Sequence, residues 1–232
     1  GQFYNAAFFE KDTIYSNGSC DIFIVKYDSA GNIIWHNQYG GNYQDNASAI
    51  LLNNQDQIFL TGYFENKASF GSTLLNSKGL LDIFLAKIDS SGNAIWAVSA
   101  GSNENDVSTD MAFDQQNDIV ITGYGSDSLL FDTIYLSSQG DYDIFLAKYN
   151  NNGNIKWAKM FGGLFDDFGR SVSCDHLNHI YITGSFMSSM LIDTTQLISN
   201  MYSDIFYAGF NNTGSNIWAK QMTSKQHDQS YS

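Results

Sequence analysis

The 232-residue chain contains no proline, where about 12 would be ordinary for its length. It has one arginine, Arg170, and two cysteines, Cys20 and Cys174. No apolar run reaches the roughly 18 residues that a membrane-spanning helix needs. Bases are scarce: 11 Lys and Arg stand against 24 Asp and Glu, for a net charge of −13. That balance excludes the basic stripe phosphate backbones require, so no nucleic acid partner is expected. It also argues against docking on anionic lipid, and no membrane insertion is expected. The cysteines make no disulfide framework and fall at different points of the repeat described next, so both are expected as free thiols. The opening residues lack a signal-peptide pattern, and a start at Gly1 suggests processing or excision.

What is present is an internal repeat. Asp-Ile-Phe occurs at Asp21, Asp82, Asp143 and Asp204, with the same interval each time. Trp35, Trp96, Trp157 and Trp218 keep that interval, as do the Thr-Gly pairs ending at Gly62, Gly123 and Gly184. Ser16, Ser77, Ser138 and Ser199 form another column, and Asp45, Asp106, Asp167 and Asp228 follow each tryptophan by ten residues. No gap is needed. A fixed period of this kind means one structural unit stacked on copies of itself. The repeats run 1–61, 62–122, 123–183 and an incomplete 184–232.

Each repeat reads as strands. Asp82 to Asp89 is apolar on both faces and must be covered on both. Ser90 to Asn93 is turn chemistry, and Ala94 to Ala100 is the return strand of a hairpin. Asp106 to Asp114 and Asp118 to Tyr124 make a third and fourth strand around a polar turn. Gly125 to Asp141 reads as a longer connection with an apolar pair, Phe131 and Leu136. No segment sustains a 3.6-residue period, so no substantial helix is expected. Four antiparallel strands per unit is the blade of a β-propeller, an all-β fold in which each small sheet is covered by its neighbours. The tryptophan, on an outer strand, suits the gap between blades.

The pattern DIFxxK(Y/I)(D/N)xxGNxxW, with Asp ten residues past the Trp and then I-x-x-T-G, resembles the bacterial seven-bladed β-propeller repeat known as SBBP. Matching residues include Asp82, Phe84, Lys87, Gly92, Trp96, Gly101, Asp106, Thr122 and Gly123, and the likeness covers essentially the whole chain. The fourth repeat departs from it, with Gly209 in place of the Lys and Thr223 and Ser224 in place of a Gly pair. The resemblance implies a secreted or cell-surface bacterial protein that uses propellers as interaction modules. Three full periods leave 49 residues, 12 short of a fourth. The expectation is a segment of a longer propeller, with open blade edges that invite self-association.

Catalytic chemistry is hard to find. The D-x-x-G-x-x-x-W stretch at Asp28, Gly31 and Trp35 is similar to the Asp-box of sialidase propellers, but its spacing differs. One arginine does not make the cluster that holds a sialidase substrate. Cys174, Asp175, His176 and His179 have the flavour of a metal site, yet they align with the turns at Leu52 and Phe113 and read as a hairpin turn. No G-x-S-x-G accompanies any histidine, including His36 and His227. Acids that recur in every repeat fit scaffolding better than a unique catalytic pair. No cofactor is expected. The places with calcium-like oxygen chemistry are Asp166 with Asp167 and Glu104 with Asp106, although four-fold recurrence favours turn capping for the repeated aspartates.

What varies between repeats is the stretch before that Asp: Asn42-Tyr43-Gln44, Asn103-Glu104-Asn105, Leu164-Phe165-Asp166 and Lys225-Gln226-His227. These loops should emerge on one face, where loops on a rigid scaffold carry recognition. Tyr43, Glu104, Phe165 and Asp166 are the candidate binding residues, with the two rings as anchors. The expected function is a non-enzymatic module that binds protein or glycan at the cell surface. The alternatives are a spacer or assembly unit completed by another chain or by the rest of a longer protein, and a scaffold for an enzyme site outside the chain.

Overall fold

The computed structural model describes residues 1–9 and 12–223. The described residues form strands and turns, with no helix among them. The chain opens with β1 (Gln2–Phe3), a hairpin of β2 (Ala6–Phe9) and β3 (Asp12–Tyr15), then β4 (Asp21–Tyr27) and β5 (Ile33–Tyr39). β1, β4 and β5 make a three-stranded first blade. The second blade is a four-stranded antiparallel meander of β6 (Asp45–Leu52), β7 (Ile58–Phe70), β8 (Thr73–Ile88) and β9 (Ala94–Ala100).

The third runs β10 (Val107–Phe113), β11 (Ile119–Gly125), the hairpin β12 (Ser128–Phe131) and β13 (Ile134–Ser137), then β14 (Asp143–Tyr149) and β15 (Ile155–Gly163). The fourth is β16 (Phe168–Cys174), β17 (Ile180–Ile192), β18 (Thr195–Phe210) and β19 (Asn216–Met222). This is part of a β-propeller. The second, third and fourth blades each start at or beside the recurring Asp, so the structural unit is offset from a repeat counted from Gly1.

Blade stacking explains the two-sided apolar strands. Asp82 to Ile88 are all buried. Ile22 and Ile24 of the first blade meet Leu60, Phe84, Ala86 and Ile88 of the second. Phe59, Ile83 and Leu85 meet Ile121, Phe145 and Ala147 of the third, and Val120, Ile144 and Leu146 meet Ile182, Phe206 and Phe210 of the fourth. Each core therefore lies between sheets. A buried Phe cut to Ala in such a layer costs about 3–5 kcal/mol.

The tryptophans cross the same junctions. Trp35 Nε1 donates to the Ser90 carbonyl at 3.0 Å, and Trp157 Nε1 to that of Asn212 at 3.2 Å. Trp35, Trp96 and Trp157 are half-buried and Trp218 is more exposed, so truncating them removes less than a fully buried ring would.

The stretch 125–141, read from sequence as a connection, is the β12–β13 hairpin. In the second and fourth blades its counterparts simply prolong the two middle strands. Asp127 and Asp132 adopt positive φ and look like loop residues, which hides strands of only four. These hairpins bond to the preceding blade: Gly40 pairs with Ser69, Gly101 with Leu130, and Gly162 with Leu191. Cys20 and Cys174 are free thiols.

Candidate functional site

The variable loops join the outer strand of one blade to the inner strand of the next, β5 to β6, β9 to β10 and β15 to β16. They therefore emerge on one face. The repeated Asp braces each of them: Gly41 N–H donates to Asp45 Oδ2 at 2.7 Å, Ser102 N–H to Asp106 Oδ2 at 2.5 Å, and Gly163 N–H to Asp167 Oδ2 at 2.7 Å. Asp228 and the Lys225–His227 loop lie outside the described residues.

A second set of loops underlies the first. Ser16 Oγ donates to the Gly18 carbonyl, Ser77 Oγ to that of Gly79 and Ser138 Oγ to that of Gly140, at 3.1, 3.1 and 3.2 Å. Asp21, Asp82 and Asp143 accept the amides of Asn17, Lys78 and Gln139. Gly18, Gly79 and Gly140 lie so close to the backbone of Asn42, Asn103 and Leu164 that any Cβ would collide with it. Each of these junctions thus presents two stacked loops held by two buried carboxyls.

The variable loop and the prolonging hairpin border one recess at each junction, joined at the second and third by Lys78 and Gln139 of the underlying loop. The first, about 220 Å³, is lined by Asn42, Tyr43, Asn66, Ser69 and Leu74. The second, also about 220 Å³, is lined by Ser102, Asn103, Ser128, Leu130 and Tyr135. The third, about 330 Å³, is lined by Gln139, Gly163, Leu164, Met190 and Gln196. Leu74, Tyr135 and Gln196 stand one repeat apart, so these are one site repeated with different side chains.

Of the sequence candidates, Tyr43 is exposed and lines the first recess. Phe165 is exposed on a neighbouring loop, as is Glu104, and Asp166 is half-buried beside Asp167. The fold spreads the four along the face rather than gathering them. Leu74 and Tyr135 escaped the sequence reading, although their column was visible, because the hairpins that carry them were not read as part of a site; Leu164 fell in a stretch read as variable but was not singled out. Between the third and fourth blades Tyr124 packs edge-on against Tyr142 and Phe168, at 5.4 and 4.8 Å between ring centroids, and Arg170 lies 4.8 Å over Phe168.

The aspartates at this face are unusual acids. Burial, the largest cause, pushes Asp45 and Asp106 up to about 7, Asp82 and Asp143 to about 6 and Asp167 to about 8, and it raises Asp21. The paired acid of the same blade junction adds to the rise at Asp45, Asp106 and Asp167. Asp21 Oδ1, Asp45 Oδ1 and Asp143 Oδ1 are buried without a hydrogen-bond partner among the described residues, which favours the neutral acid.

Asp106 and Asp167 turn both oxygens to amides, those of Ser102 and Ser126 and those of Gly163 and Met187. Among the described residues no group of three or more His, Cys, Asp or Glu is placed to hold a metal. Asp175 Oδ1 accepts the amides of Leu177 and His179, and its Oδ2 bonds His179 Nδ1 at 2.9 Å, so this cluster closes a hairpin turn.

No family model matches the chain. It is 28% identical over 171 residues to the uncharacterized WD repeat-containing protein L264 of Acanthamoeba polyphaga mimivirus, covering 65% of this chain and 12% of that protein. It is 26% identical over 174 residues to the regulatory protein FlaEY of Caulobacter vibrioides, covering 72% of this chain and 18% of that protein. The chain spans less than a fifth of either relative. At this low identity the likeness is to propeller-like repeat proteins.

Proposed function

We propose that the protein is a non-catalytic binding module of a secreted or cell-surface protein, gripping a protein or glycan partner on its loop face. The observation that carries this reading is the recess repeated at three junctions. Its frame is constant, two loops braced by buried aspartates, while its lining changes from Tyr43 and Leu74 to Asn103 and Tyr135 to Leu164 and Gln196. A constant frame with a varied lining suits recognition at several points, where weak contacts add through effective concentration. Exposed tyrosine beside amide and hydroxyl groups suits sugar rings and peptide alike. The likeness to a WD repeat-containing protein supports a propeller that works by interaction, and the SBBP-like motif supports the surface setting.

A glycan array and immobilised cell-surface proteins, probed with labelled chain, test this. Tyr43→Ala combined with Tyr135→Ala should weaken retention at least tenfold without changing the melting temperature, since both rings are exposed. Phe165→Ala tests the neighbouring loop. Retention unchanged in the double variant and in Phe165→Ala would remove the loop face as the binding surface.

A further inference from the structure

The first and second recesses hold the same chemical set, built from different positions of the repeat. Each offers an exposed tyrosine, a lysine, an asparagine and a serine: Tyr43, Lys67, Asn42 and Ser69 in the first, and Tyr135, Lys78, Asn103 and Ser128 in the second. Of these, Asn42 and Asn103 are equivalents, but the rings and the cations are not. Tyr43 belongs to the column of Glu104 and Phe165, whereas Tyr135 belongs to that of Leu74 and Gln196. Lys67 stands in the column of Ser128 and Ser189, and Lys78 in that of Asn17 and Gln139. Copying one repeat into the next does not produce this likeness, so it is a property of the site.

The hairpins aim these groups at the recess. Lys67 pairs with Asn76 and Ser69 with Leu74, so all four share the face opposite the buried Ala68 and Leu75. Leu130 pairs with Tyr135 and Ser128 with Ser137, on the face opposite the buried Leu129. Cations are scarce and mostly engaged elsewhere. Lys148, Lys156 and Lys159 pair with aspartates, and Lys26 and Lys87 bond the turn of the next blade. The side chains of Lys67 and Lys78 make no hydrogen bond or ion pair among the described residues, although Asp82 and Asp106 lie near Lys78. An unpaired ammonium beside an exposed ring, twice over in a chain of net charge −13, is placed to meet an anion.

We propose that the first and second recesses each bind an acidic sugar ring of one polysaccharide, with the ring on the tyrosine, its hydroxyls on the asparagine and serine, and its carboxylate or sulfate on the lysine. This rests on the loop-face reading above and names its ligand class. Each recess, at about 220 Å³, is smaller than the roughly 300–1,000 Å³ of a drug-sized pocket, so it takes one ring rather than a whole ligand. Two alike sites suit a polymer that repeats its acidic unit, because linked contacts add through effective concentration. A peptide strand would need a free strand edge. Here the hairpin edge is already bonded to the preceding blade, since Ser69 and Gly40 exchange both backbone bonds, as do Leu130 and Gly101. Glu104 and Asp127 flank Asn103, whose Nδ2 donates to Asp127 Oδ2 at 3.3 Å, and they oppose an anion at the second recess. The first is therefore the stronger site. The third recess, lined by Leu164, Leu191 and Gln196, has neither ring nor cation.

Biolayer interferometry of the immobilised full chain against polygalacturonate, dextran sulfate, neutral dextran and poly-glutamate reads the outcome. Polygalacturonate or dextran sulfate should bind at least tenfold more tightly than dextran, and whichever binds tells a carboxylate ligand from a sulfate one. Lys67→Gln combined with Lys78→Gln should remove that preference while keeping the wild-type melting temperature, and Glu104→Gln should strengthen binding of the anionic chain. Equal affinity for dextran and the anionic chains, or an unchanged affinity in the double lysine variant, would overturn the proposal. Poly-glutamate bound as tightly as the polysaccharides would overturn it in favour of an acidic protein partner. Retention of a neutral glycan or a cell-surface protein that needs Tyr43 and Tyr135 but not the lysines would overturn it and leave the loop-face reading standing. No retention of any glycan or protein would overturn both.

Discussion

Gly31 and Gly92 occupy the same turn at nearly the same φ and differ in what lies above them. Gly92→Ala forces a side chain into the left-handed region and into Trp35, whereas Gly31→Ala meets only the first difficulty. The left-handed region alone costs an L-residue about 1–2 kcal/mol. Gly31→Ala should therefore lose about that much in urea unfolding, and Gly92→Ala should lose clearly more. Equal losses would mean that the indole moves aside at no cost. At this scale the chain was partly legible. The turn-bracing role of Asp45, Asp106 and Asp167 follows from their recurrence, because a structural acid is needed in every copy. The role of Ser16, Ser77 and Ser138 did not follow. What their turns press against is the Asn42, Asn103 and Leu164 backbone. A whole hairpin of chain separates each turn from that partner, and no local pattern carries so far.

Among the elements, the middle strands β8 and β14 show how one column can hold different chemistry. Lys148 is buried, with its ammonium 2.5 Å from Asp114 and 3.5 Å from Asp118, and it also bonds Asn212. Lys87, its equivalent, bonds Asn151 and lies 5.3 Å over the Phe59 ring, and Asn53 stands where Asp114 would. Lys148→Ala leaves a buried carboxylate without its cation, which costs about 3–5 kcal/mol. Lys87→Ala leaves no such charge and should cost less than half as much by denaturant titration. Similar losses at both sites would show that the inter-blade bond, not the ion pair, sets the stability. The repeat motif displays these lysines as identical; only the packed neighbours separate them.

For the whole molecule, the buried aspartates set the pH response. Asp45, Asp82, Asp106, Asp143 and Asp167 have folded-state values of about 6 to 8 against an ordinary 3.8, so the folded chain keeps protons that the unfolded chain has released. Their contribution is complete below the ordinary value and is lost as pH rises through the folded values. The melting temperature should fall from about pH 4 to about pH 8. Asp45→Asn and Asp143→Asn, in which the amide oxygen can take the place of the one bonded carboxyl oxygen, should flatten that slope. A melting temperature that rises over this interval would mean that these carboxyls are ionised in the folded state.

The repeat period by itself determined the all-β blade, the inter-blade tryptophan, the braced loops and the absence of substantial helix among the described residues. These are properties a unit must have to stack on copies of itself, so they are written into every copy. The tertiary structure alone decided that the 125–141 stretch is a hairpin, that loop and hairpin close over a recess, and that Trp218 and Gly31 face outward while their equivalents are covered. Those outcomes depend on which neighbour each residue meets, and a repeating sequence presents the same residues whether or not a neighbour is there.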